Sequence, residues 1–146
     1  MSMYRTHRRK SGFTLVEILI VVVILGILAA IVVPQFTNAA NDARAGNLKS
    51  QIKTIENQLE LYRARTGSYP TLAELQQAPT DTTRGTSFGV LVDNDYLKTS
   101  PTNPVNNSQA VGAAAAADVG WVWDASTGSF GASYFDETTG TITTDP

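Results

Sequence analysis

Glu17 is the only carboxylate before Asp42, and it stands at the head of an apolar run extending from Ile18 to Phe36. Within that run only Gly26, Pro34 and Gln35 are not apolar. A helix rises about 1.5 Å per residue, so roughly 20 residues cross a bilayer core of about 30 Å. A charge at the centre of such a helix costs about 2.5 to 3.5 kcal/mol, so Glu17 requires either an interfacial position or a cation. At the interface it gains from the positive end of the helix dipole and can reach toward water. The other solution is an amine. The small pair Ser11-Gly12 precedes Phe13, and a cut there would free the Phe13 amino group, in the same chain or a neighbour's, as a partner for Glu17.

The flanking elements place this chemistry at a membrane. Residues 1 to 12 carry Arg5, Arg8, Arg9 and Lys10 and no acid, a cluster expected to stay cytoplasmic and to send the C-terminal side across. A secretory signal would end in a small-x-small site. Here the apolar run continues through Ala29-Ala30-Ile31-Val32-Val33-Pro34, and Thr37-Asn38-Ala39 matches such a site poorly. Cleavage ahead of the helix would remove the charges and keep the anchor.

Elsewhere the residues for catalysis are missing. Of 146 residues none is cysteine, and the one histidine, His7, lies in the basic leader. Neither a Ser-His-Asp nor a Cys-His arrangement is possible after removal of that leader, and no glycine-rich phosphate loop is present, so an enzyme is not expected. Beyond residue 12 the chain has 7 basic against 13 acidic side chains, net −6. That balance opposes nucleic-acid binding, which depends on Lys and Arg at phosphates. No cofactor is required by the residues. Calcium, which accepts carboxylate and carbonyl oxygens, is the metal considered for the late acids; Asp118, Asp124 and Asp136 are the candidates, without EF-hand spacing. Asn106-Asn107-Ser108 matches a glycosylation sequon.

From residue 37 the chain turns polar and regains helical periodicity. Ala45, Leu48, Ile52, Ile55, Leu59 and Tyr62 alternate at three and four, one face of a helix. Lys53 with Glu56 and Glu60 with Arg63 fall at i,i+3 on the other side. Gly67 and Tyr69-Pro70 predict the helix end near Arg65. The remaining 80 residues, 67–146, are near the lower limit for an independent core, so the seam should complete it. Thr71-Leu72-Ala73-Glu74 predicts a capping box and a short helix through Gln77. Ser87 to Val92 fits either a short strand or a short helix, and Lys98 to Ala117 reads as a loop. Val119 to Trp123 and Ser129 to Tyr134 read as two strands joined by a turn, with Thr139 to Thr144 as a third. Trp121 and Trp123 should share a face packed on the long helix.

The run Lys10-Ser11-Gly12-Phe13-Thr14-Leu15-Val16-Glu17-Ile18-Leu19-Ile20-Val21 resembles the prepilin-type signal of type IV pilins and of the pseudopilins of type II secretion systems. Gly26 and Pro34 stand where that family's helix has its glycine and its bend-forming proline. The resemblance implies cleavage between Gly12 and Phe13 by a prepilin peptidase, N-methylation of Phe13, and a Glu17 carboxylate that sets filament register against a neighbour's amine. It also implies an α+β, pilin-like fold: a long N-terminal helix packed on a small C-terminal antiparallel sheet. The head is most similar to the major pseudopilin type, although Ser100-Pro101-Thr102-Asn103-Pro104-Val105 replaces its usual Asp-Pro-Trp-Gly-Asn-Pro-like segment.

Four parts follow: a removable leader (1–12), a transmembrane and filament-core helix (13–36), an amphipathic helix (37–66) and a periplasmic head (67–146). The expected role is a structural subunit of a helical pseudopilus that drives protein export. The expected partners are copies of itself, other pseudopilins or pilins, the peptidase, an inner-membrane assembly platform and the membrane. A single-pass inner-membrane precursor, N-terminus cytoplasmic, would pass into an extracytoplasmic filament. A type IV pilin for adhesion or motility is the alternative within the family, and a monomeric bitopic binding protein the alternative outside it.

Overall fold

A computed structural model describes residues 12–146. The basic leader, with Arg5, His7, Arg8, Arg9, Lys10 and Ser11, lies outside the described residues. The chain divides into two compact units, Met1–Asn38 and Ala39–Pro146. Helix α1, Leu15–Thr66, contributes its first part to one and its second part to the other.

In the first unit the helix is solvent-facing all round. Its large apolar side chains from Leu15 to Phe36 are between 40 and 84 % exposed. A helix apolar on every face has no core to turn toward within its own unit; it is made for lipid or for other protein.

The second unit has a core, and α1 supplies its largest single contribution. Ala45, Leu48, Ile52, Ile55 and Leu59 are buried, with Tyr62 packed at the edge, so the three-four periodicity is the buried stripe. Each large aliphatic side chain fully buried contributes about 1.5 to 3 kcal/mol. The solvent face carries Lys53 with Glu56 at 3.5 Å and Arg63 with Glu60 at 3.9 Å. The helix ends one residue beyond the predicted point. Gly67 takes φ +90° and donates its N–H to the Arg63 carbonyl at 2.8 Å, a conformation that glycine adopts without Cβ strain.

Helix α2, Leu72–Gln76, opens on the predicted capping box. The Glu74 N–H donates to Thr71 Oγ1 at 3.3 Å, and the Thr71 N–H donates to Glu74 Oε2 at 2.7 Å. After a 3-10 turn at Thr82–Arg84, the ambiguous segment becomes helix α3, Gly89–Asp93. Phe88, fully buried, takes the left-handed conformation at φ 61°, and its N–H is bound to the Leu75 carbonyl at 2.6 Å. The side chain is held in the core, and the chain reverses around it into a helix.

Strands β2, Trp121–Asp124, and β3, Ser129–Ala132, pair antiparallel with Trp121 opposite Ala132 and Asp124 opposite Ser129. The predicted turn joins them. Trp121 and Trp123 are both buried with the α1 seam; Trp121 stacks on Phe130 at 5.6 Å and Trp123 meets Tyr69 edge-on at 5.5 Å.

Two expectations about the sheet need correction. The segment read as loop contains β1, Val111–Gly112, which pairs parallel to β2, so the three-stranded sheet is mixed, in the order β1-β2-β3. The last strand, β5 at Thr141–Ile142, does not extend that sheet; it pairs with β4, Phe135–Asp136, as a separate hairpin. Two-residue strands carry almost no periodicity, so spacing alone does not say which neighbour each will pair with.

Asn103 fixes the long loop. Fully buried, it donates through Nδ2 to the carbonyls of Gly120 and Ser133 at 2.8 and 3.0 Å and accepts from the Val105 N–H at 2.8 Å. Beside it Gly120 passes so close to Ser108 that a Cβ would fall 2.3 Å from the Ser108 carbonyl oxygen. The sequon asparagine is similarly occupied: Asn106 Nδ2 donates to the carbonyls of Ala117 and Val119 at 3.2 and 2.8 Å, leaving its amide tied into the fold.

Candidate assembly site

The N-terminal unit brings Phe13, Thr14 and Glu17 together at the start of α1. Leu15 is the first helical residue, which makes Thr14 the cap and Glu17 the third helical position. Thr14 donates its N–H and its hydroxyl to Glu17 Oε2 at 2.8 and 2.9 Å, and the Glu17 N–H donates to Thr14 Oγ1 at 3.2 Å. This is a reciprocal capping box, which satisfies backbone donors that the first helical turn leaves open. Both accepted bonds fall on one carboxylate oxygen. The other, Oε1, has no hydrogen-bond partner among the described residues and is available to a cation.

Thr14 was not among the residues singled out from the sequence. The signal was present: Thr14-Leu15-Val16-Glu17 has the same Thr-x-x-Glu spacing as Thr71 to Glu74.

Next to this polar start, Phe13 is 85 % exposed and the apolar surface runs on through Val33 and Phe36. Gly26 and Pro34 are both helical. A Cβ built on Gly26 would meet nothing within 4 Å, so the packing of the chain itself gives no reason for a glycine there. Glycine in a helix interior costs about 1 kcal/mol relative to alanine. Pro34 has no N–H to donate to the carbonyl four residues before it. One turn on, Thr37 Oγ1 donates to the Val33 carbonyl at 3.2 Å.

Of the three late acids, Asp124 and Asp136 are committed to their own turns. Asp124 accepts from the Ser126 N–H and hydroxyl at 2.9 and 2.6 Å, and Asp136 from the N–H groups of Thr138 and Thr139 at 2.8 and 3.2 Å. Hydrogen bonds from Ser126 and from Thr139 with Thr138 hold these two carboxyls below the ordinary aspartate range. Among the described residues no three His, Cys, Asp or Glu side chains come together in a way that could hold a metal ion. Asp118, Asp124 and Asp136 do not converge into one such group.

Glu137 behaves differently. It is exposed at the start of the β4–β5 turn, yet partial desolvation of its carboxyl, with Glu56 nearby, pushes it above the usual glutamate range. Gly131 makes room for it, since a Cβ there would lie 2.7 Å from Glu137 Oε1.

Comparison with known proteins agrees with both halves of this picture. The family model described as the prokaryotic N-terminal methylation motif matches residues 7–33, which include the capping box and most of the exposed apolar run. The family model described as type II secretion system (T2SS), protein G matches residues 35–133. The chain is 39 % identical over 105 residues to the type II secretion system core protein G of Pseudomonas aeruginosa, covering 69 % of this chain and 72 % of that protein. It is 38 % identical over 104 residues to the protein of the same name from Aeromonas hydrophila, covering 68 and 71 %. It is 34 % identical over 107 residues to that from Escherichia coli, covering 70 and 72 %. No solved structure gives a significant match. With an all-round exposed apolar helix, a seam-completed head and these matches along its length, the chain belongs to the type II secretion system protein G family.

Proposed function

We propose that this chain is a structural subunit of the pseudopilus of a type II secretion system, a helical filament assembled from the inner membrane to drive protein export. The observation that carries the reading is the helical surface from Leu15 to Phe36, apolar on every side and exposed throughout, in a chain of the protein G family. In the precursor these side chains face lipid. In the filament the same rows face equivalent rows of neighbouring subunits, and Gly26 permits close approach there. Identical head-to-tail contacts whose rotation does not close give an open helical polymer.

The N-terminal chemistry in this reading has three steps. The leader cations keep the N-terminus cytoplasmic and the head periplasmic. A prepilin peptidase hydrolyses the Gly12–Phe13 amide, releasing the leader and exposing the Phe13 amine. A methyl group from a sulfonium donor replaces one proton on that amine, which keeps its charge at neutral pH. Glu17, held through Oε2 by Thr14, offers Oε1 to the Phe13 amine of a neighbour and so sets axial register. Pro34 and Gly26 are the positions where the helix yields during assembly. The role is structural rather than enzymatic. It needs no cofactor, a reading supported by the separate commitments of Asp124 and Asp136 to their own turns; an unchanged melting temperature with calcium or chelator would agree with it, and a calcium-dependent rise would count against it.

Mass spectrometry of the N-terminal peptide from membranes tests the whole proposal. A peptide beginning at methylated Phe13 supports it. An intact leader, or a terminus beyond Val33, overturns it in favour of a monomeric bitopic anchor or a secreted head.

A further inference from the structure

No further inference is drawn: the strongest candidate, the exposed and uncharged face of α1 that carries Ala39, Ala43, Gly46, Ser50, Thr54 and Leu61, is a stripe of small and polar residues, and nothing in the structure shows what covers it.

Discussion

Thr14 and Glu17 cap one another at the start of α1, with the Thr14 N–H and hydroxyl both on Glu17 Oε2 and the Glu17 N–H on Thr14 Oγ1. The carboxylate at the edge of the apolar helix is thus partly satisfied before any neighbour arrives. That arrangement lowers the cost of holding Glu17 near lipid and orients the oxygen that remains. Glu17→Ala should leave membrane insertion intact while stopping entry into filaments, read as loss of cross-linked polymer at unchanged membrane content. Thr14→Ala should lower polymer yield less severely, and Thr14→Ser should restore it. Normal polymer from Glu17→Ala would remove the register role.

Leu48 and Leu25 should separate folding from assembly. Leu48 is fully buried in the head core and Leu25 is 58 % exposed. Leu48→Ala should destabilise the chain in detergent by about 2 to 5 kcal/mol, seen as a lower denaturation midpoint. Leu25→Ala should leave that midpoint unchanged and reduce filament yield. A shared loss of stability would contradict the division of labour along α1.

Trp123 donates its indole N–H to the Pro70 carbonyl at 2.9 Å in a buried site. Trp123→Phe keeps most of the ring packing but strands that carbonyl, a cost of about 1 to 3 kcal/mol. Thermal unfolding in detergent followed by circular dichroism checks this; a change well under 1 kcal/mol would show that water replaces the donor.

Glu137 gives a pH dependence of opposite sign to that of the turn acids. Its carboxyl is raised in the fold by partial desolvation and by Glu56, so the folded state holds the proton more tightly than the unfolded chain. Its contribution is unfavourable at neutral pH and disappears as pH falls below the unfolded value. Glu137→Gln should therefore raise the melting temperature at pH 7 and have little effect at pH 3. Glu74, Asp124 and Asp136 are depressed by hydrogen bonds from Thr71, Ser126 and Thr139 with Thr138, respectively. Their stabilisation is complete above the unfolded values and lost as pH falls through the folded ones. Equal melting temperatures of Glu137→Gln and the unmodified chain at both pH values would refute the desolvation effect.

Local and periodic features were legible in the sequence. The leader charges, the length of the apolar run, the seam from Ala45 to Tyr62, the Gly67 cap, the Thr71 box and the Trp121 to Ala132 hairpin are each encoded within a few turns or one reversal of chain, where spacing alone dictates which side chains share a face. Only the tertiary structure decided the pieces that depend on distant partners. Val111–Gly112 becomes a strand because Trp121 and Val122 lie beside it, Asn103 reaches carbonyls 17 and 30 residues away, and Gly89–Asp93 becomes helical because buried Phe88, its cap, is anchored to Leu75. The late acids illustrate the same limit: sequence gives their oxygens, but folding determines whether those oxygens converge, and here neighbouring hydroxyls and amides claim Asp124 and Asp136 first.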